Sequence, residues 1–285
     1  MKDMIGEKVS HDRPIPLADG VYWVGYNDAG GGFSCNPYLI VDGDETVLID
    51  GGSRPDFSTV MRKILQAGVS PGSISHLVYH HYDPDLCGSL PNLEEMIGRA
   101  DLKVISKGEN NPFISHYGCR SELHCIDKMA LQLVLKSGRR VRFIPTPYAH
   151  AAGSFMTYDE KTGILFSSDL FGSLSHCSGW QLFMEVDRRC HACNQAVPSD
   201  CKMVCQTVGS SCPFFGIVQF HRQVMPSNAA LRFALAAVQV LNPRIIASQH
   251  GSILCKREDI AKTIQILINL EDVGIDGVLL EMARA

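Results

Sequence analysis

The chain has no apolar stretch long enough to span a bilayer, and Met1-Lys2-Asp3-Met4-Ile5-Gly6-Glu7-Lys8 carries no apolar signal core. Both absences point to a cytoplasmic protein without a membrane partner. No run of lysine or arginine stands anywhere, and 26 basic against 30 acidic side chains give a formal net charge of −4. That excludes the basic footprint a nucleic-acid binder needs. There is no internal repeat and no low-complexity segment. An apolar content of 45% and a charged content of 20% describe an ordinary globular chain, and 285 residues allow one large α/β domain or two small ones.

Cysteine is the exception, with eleven residues. Without a secretory signal, so many thiols point to metal or redox chemistry before a disulfide framework. Cys190, Cys193, Cys201, Cys205 and Cys212 crowd into one stretch at about 175–215. Cys35, Cys87, Cys119, Cys125, Cys177 and Cys255 are scattered and read as packing residues, with Cys87 the one near other candidate ligands.

The apolar patterning alternates strands and helices. Residues 21–24, 38–41 and 46–49 read as strands, with Asp42-Gly43-Asp44 as the turn between the last two. Phe57, Val60, Met61, Ile64 and Leu65 have helical spacing that Gly68 closes. Residues 74–79 form a buried strand, 91–97 a short helix, and 102–105 and 140–144 further strands. Residues 126–135 fit helix and strand equally. A hairpin is expected over 155–167. Ser227 is placed to cap a helix that Pro243 stops, 244–248 is a strand, and 256–270 is an amphipathic helix. Such alternation favours one layered domain over 1–285 with helices outside.

The organising stretch is His80-His81-Tyr82-Asp83-Pro84-Asp85-Leu86-Cys87-Gly88-Ser89. Pro84 ends the preceding strand and turns Asp83 from the helical region, so His81, Asp83 and Asp85 are expected on a loop at alternate positions. His150, Asp169 and His250 likewise each follow a predicted strand. A lone histidine or aspartate at a strand end is more often structural. Six in the same context suit a shared site, because loops at one sheet edge can converge. Imidazoles and carboxylates together suit iron, zinc or manganese.

These segments resemble the metallo-β-lactamase superfamily, and within it the diiron branch of flavodiiron and oxygen-binding diiron proteins. His81-x-Asp83-x-Asp85-Leu86 is similar to that branch's H-x-E-x-D-H loop. Leu165-Phe166-Ser167-Ser168-Asp169-Leu170-Phe171-Gly172 resembles its bridging-aspartate segment, and Gln249-His250-Gly251 its last ligand. The resemblance covers most of 18–255 apart from the cysteine-rich segment, and no flavodoxin-like module is expected. It implies a four-layer αββα sandwich and two non-haem irons. One iron would take His81, Asp83 and His150, and the other Asp85 and His250, with Asp169 bridging. Asp50 would orient a ligand without binding metal. Two positions depart from the pattern. Asp83 is one methylene shorter than the branch's glutamate, and Leu86, where the branch has histidine, can ligate nothing.

The implied role is binding or reducing O2 or NO, as a redox enzyme or a gas or redox sensor, with an electron-donor protein and a homodimer as expected partners. A zinc-dependent hydrolase of an ester or phosphodiester and a non-catalytic sensory or scaffold module are the alternatives. In the cysteine-rich segment the spacing C-x2-C-x7-C-x3-C-x6-C suits a 4Fe-4S cluster or a structural zinc, and its alternative is a set of buried free thiols.

Overall fold

The computed structural model describes residues 10–26, 35–174, 181–198, 200 and 203–284. Its strands form two sheets, of seven and five strands, accompanied by helices. This is the mixed α/β class expected from the patterning. The chain divides into two compact units. The first holds the residues up to Asp28, Ser34–Ile144 and Phe155–Thr162, and the second holds Pro145–Ser154 and the chain from Gly163 onward.

In the first unit, β1 (Ile15–Ala18), β2 (Val21–Trp23), β3 (Tyr38–Asp42) and β4 (Glu45–Ile49) run antiparallel. Asp42 pairs with Glu45 across a two-residue turn in which Gly43 takes φ 61°. Helix α1 (Phe57–Gln66) buries Val60, Met61 and Ile64. Strand β5 (Ile74–Val78) then lies parallel to β4, and every residue of both is buried, as parallel pairs covered on two faces require. After α2 (Pro84–Cys87) and α3 (Leu90–Ile97), strand β6 (Lys103–Ser106) extends the sheet. Helix α4 (Asn111–Ser115) leads to β7 (Glu122–Cys125) at its edge.

The ambiguous stretch 126–135 is neither one helix nor one strand. A single 3-10 turn, Ile126–Met129, is broken by Ala130 and Leu131 at φ 52° and 55°, and β8 (Gln132–Val134) follows. Strands β9 (Arg140–Pro145) and β10 (Phe155–Asp159) are joined by a buried bidentate ion pair, Arg139 to Asp159, at 2.9 and 2.6 Å.

A second buried cation fixes the start of this unit. Lys63 Nζ donates to the carbonyls of His11 (2.5 Å) and Gly25 and lies 4.0 Å from the centre of the Trp23 ring. Burial lowers its pKa to about 8.

In the second unit, β11 (Ile164–Phe166) lies parallel to β12 (Ile245–Ala247). Between them come α5 (Arg188–His191), α6 (Phe215–Val224) and α7 (Asn228–Leu241); α8 (Arg257–Ile268) and α9 (Ile275–Arg284) follow. Helix α7 is built as its sequence predicts. Ser227 Oγ accepts from the N–H of Ala230 at 3.2 Å, and Asn242 takes the left-handed conformation just before Pro243. Helix α6 has no counterpart in the sequence reading. Among the described residues, no helix is long and apolar enough to cross a membrane.

Candidate metal centre

The first unit presents His81, Asp83 and Asp85 just beyond β5. The open loop expected there is half right. Asp83 is extended (φ −71°, ψ 155°), but Asp85 lies in α2, because Pro84 occupies the first helical position, where its fixed φ and missing N–H suit a helix start. His81 Nδ1 stands 3.9 Å from Asp83 Oδ2, with His81 buried and Asp83 a third exposed.

The turn Asp50-Gly51-Gly52 braces this loop. Gly51 N–H donates to Leu86 O (3.0 Å), Ser89 Oγ donates to Gly51 O (2.8 Å), and Ser89 N–H donates to Gly52 O (3.2 Å). A Cβ on Gly51 would sit 2.7–2.8 Å from the side-chain ends of Leu93, Ser89 and Tyr79, so any larger residue would displace them. Asp50, at φ 53°, accepts from the His80 backbone N–H (3.1 Å) and from His80 Nδ1 (2.6 Å), while His80 Nε2 meets Thr157 Oγ at 2.9 Å. Asp50 thus orients the imidazole beside His81. Leu86 and Cys87 turn into the apolar core with Leu48, Leu77 and Leu90, and the Cys87 thiol, whose pKa burial pushes up, donates to His81 O at 3.5 Å.

The second unit presents His150, Asp169 and His250. The β11–β12 ladder continues past both strand ends: Ser167 N–H donates to Ala247 O (3.1 Å), and Gln249 N–H to Ser168 O (2.8 Å). Each strand therefore delivers its next residue, Asp169 or His250, side by side. Asp169 Oδ1 lies 3.7 Å from His250 Nε2, and Asp169 Oδ2 lies 3.9 Å from His150 Nε2. These separations exceed a hydrogen bond. They match the spacing of ligands that share an ion, since donors about 2.0–2.2 Å from one metal stand roughly 3–4 Å apart.

Backbone strain gathers here. Tyr148, His150, Ser168 and Phe171 take φ of 60°, 87°, 53° and 68°, four of the eight non-glycine residues with positive φ among the described residues. What holds them is local bonding. Thr146 N–H donates to Ser154 O, Tyr148 N–H to Ala151 O, and Ala151 N–H to Ser154 Oγ. Phe171 N–H donates to Nε2 of His221 (3.1 Å), whose Nδ1 donates to Ile217 O (2.7 Å). His221 is fully buried, and that burial lowers its pKa to about 4, so it is the neutral acceptor the turn needs. Sequence reasoning missed this residue, since nothing in its spacing distinguishes it from the other side chains of α6.

The cysteine-rich segment is also in the second unit. Cys190, Cys193, Cys205 and Cys212 line a cavity of about 720 Å³, and Cys201 falls outside the described residues, as does Cys177. No three described cysteines bring their sulfurs within 4.8 Å of one another. Burial raises the Cys190 and Cys212 pKa values, whereas a hydrogen bond from Thr207 Oγ (3.3 Å) lowers that of Cys193.

A family model described as ODP family beta lactamase matches residues 33–251. The putative diflavin flavoprotein A 2 of Synechocystis sp. is 27% identical over 231 residues, covering 78% of this chain and 34% of that protein. The nitric oxide reductase of Moorella thermoacetica is 29% identical over 172 residues, covering 56% of this chain and 42% of that protein. The matches thus cover about two-fifths or less of these curated relatives' lengths. Among solved structures, the apo state of the chemotaxis sensor ODP from T. denticola is 25% identical with a TM-score of 0.72, covering 94% and 97% of the two chains. The flavodiiron protein from Giardia intestinalis is 21% identical with a TM-score of 0.72, covering 91% of this chain and 59% of that one, a likeness of fold.

Proposed function

The chain belongs to the ODP beta-lactamase family, and from that premise we propose that it is a non-haem diiron protein that binds O2 or NO and serves as a gas or redox sensor or as a reductase. His81, Asp83 and His150 would hold one iron, Asp85 and His250 the other, and Asp169 would bridge. The observation that carries the reading is the Asp169 carboxylate, whose two oxygens each face a different imidazole at 3.7 and 3.9 Å. A carboxylate so placed can give one oxygen to each of two ions. The donor set fits iron, because carboxylates offset its charge while neutral imidazoles complete the shell. Bound iron would supply the open coordination position at which a diatomic ligand is taken up.

The chain's own residues do the positioning. The Asp50–His80 pair sets the ring next to His81, and His221 fixes the turn after Asp169. Asp169 and His250 are almost completely buried, which limits water around the ligand pair. A sensor reading draws support from the chemotaxis sensor relative, and a reductase reading from the nitric oxide reductase. The cysteine-rich segment is the proposed seat of a 4Fe-4S cluster or a zinc ion, with the shared cavity of four of its cysteines in support. An electron-donor protein and a homodimer complete the proposal.

Anaerobic purification followed by counts of iron, zinc and acid-labile sulfide per chain tests the reading. About two irons outside any sulfide cluster, with a visible spectrum that responds to NO or O2, is the expected result. Zinc alone, with no response to either gas, would overturn it and favour the hydrolase.

A further inference from the structure

Leu86 leaves the second proposed iron without the histidine that the diiron pattern places there, and the fold does not turn it back toward Asp85. Its side chain is fully buried in the apolar core. A different side chain stands near Asp85. The sulfur of Cys35 and a carboxylate oxygen of Asp85 lie within 4.8 Å of each other, both in the first unit. Two donors of one ion, at about 2.3 Å for sulfur and 2.1 Å for oxygen, can be up to roughly 4.4 Å apart, so a small closure brings this pair onto a shared metal.

Cys35 reaches this place through an extension of the β2–β3 ladder. Trp23 pairs with Tyr38, Val24 N–H donates to Pro37 O (3.0 Å), and Tyr26 N–H donates to Cys35 O (3.3 Å). Trp23 Nε1 donates to Asn36 Oδ1 at 2.8 Å within the core. The two backbones approach so closely at Gly25 that a Cβ there would lie 2.4 Å from Cys35 O. Lys63 holds Gly25 from the other side through its carbonyl. This register fixes the backbone from which the Cys35 side chain projects.

We propose that Cys35 is a metal ligand, its thiolate joining Asp85 at the second metal in place of the missing histidine. This rests on the diiron reading above. On binding, the S–H proton is released to solvent and a metal–sulfur bond forms, with no change of oxidation state. A thiolate is softer and more electron-donating than imidazole. The two metal positions would therefore differ in character, one imidazole–carboxylate and the other carrying sulfur.

The test reconstitutes the full chain with Co(II), comparing wild type, Cys35→Ser and Cys35→Ala, each also with Cys190, Cys193, Cys201, Cys205 and Cys212 changed to serine. Bound cobalt is counted after gel filtration, and the near-ultraviolet sulfur-to-cobalt band is recorded. In the five-serine background, where the cysteine segment holds no metal, the expected result is a fall from about two ions to about one on losing Cys35, with loss of the remaining sulfur band. Circular dichroism of the metal-free variants confirms that they fold, and either Cys35 variant suffices if the other does not. Two ions retained without Cys35, and no sulfur band attributable to it, would overturn the inference while leaving the diiron reading standing. No bound metal in the wild-type chain would overturn both.

Discussion

The Asp169 turn and the cysteine-rich segment lie close in sequence, in the same unit, and both carry side chains of metal-ligating type. The turn is made of buried residues, strained backbone and hydrogen bonds that leave each ligand one orientation. Among the described residues before α6, the cysteine segment has one four-residue helix, α5, and is tied to α8 near it. His191 meets Asp259 at 2.7 Å, and Lys262 donates to Cys193 O at 2.5 Å. Among the described residues, its thiols at Cys190, Cys193, Cys205 and Cys212 share a cavity without forming a set of converged donors. The first region is ordered by its own hydrogen bonds. The second is a group of donors that, on the proposed reading, a metal would draw together. The difference teaches that donor density in a sequence says little about preorganisation, which comes from the second layer of hydrogen bonds.

The largest effect that could break this comparison is at Asp169. Asp169→Ala should weaken iron binding by at least about 100-fold, seen as loss of iron on gel filtration, with the metal-free fold retained. Retention of full iron would show that the turn is not a ligand loop. Next comes acid stability, which His76 in β5 influences from outside both regions. Burial lowers its pKa from 6.5 to about 4, so between these values the unfolded chain binds more protons than the folded one. The stability His76 contributes is complete above pH 6.5 and lost as pH falls to about 4. Urea midpoints of the metal-free protein across that window should fall, and less steeply in His76→Gln.

His221→Ala removes the acceptor for Phe171 N–H and should cost about 1–3 kcal/mol of stability. A loss of iron affinity larger than this destabilisation accounts for would mark the turn as positioned by this bond. In the cysteine segment, effects should be smaller. Iodoacetamide at neutral pH should modify Cys193 several-fold faster than Cys190 or Cys212, as mass spectrometry of tryptic peptides would report, because its thiolate is the favoured one. Changing Cys190, Cys193, Cys205 and Cys212 to serine should leave the unfolding free energy of the metal-free chain within about 1 kcal/mol of wild type, as urea titration would report. A large drop would show that the thiols pack the unit.

Much of this organisation was legible in sequence because it rests on local chemistry. Ser227, Asn242 and Pro243 mark the ends of α7, and Asp42-Gly43 marks a tight turn. The alternation of strand and ligand pointed to six candidate residues, and Asp169 does lie between His150 and His250. Other features depend on partners far along the chain. Pro84 reads equally as a strand terminator and a helix initiator, and the bond from Gly51 N–H to Leu86 O is a long-range contact that no local pattern conveys. Strands β1 and β7 are four residues each, too short for periodicity to separate them from loop. Helix α6 was hidden by the cysteines before it. The His221 acceptor and the approach of Cys35 to Asp85 follow from register and close contact, which no spacing rule conveys.

The parallel ladder from β11 and β12 into Ser168 and Gln249 has a consequence for how this chain can diverge. Neighbouring strands lie about 4.8 Å apart whatever their side chains, so the separation of Asp169 from His250 is encoded by the number of residues after each strand. Apolar exchanges within Ile164–Phe166 or Ile245–Ala247 can drift while preserving that separation. A single insertion or deletion in either would rotate one ligand to the opposite face. In a lineage of such chains the gap-free columns should bracket these two strands, even where the letters within them vary.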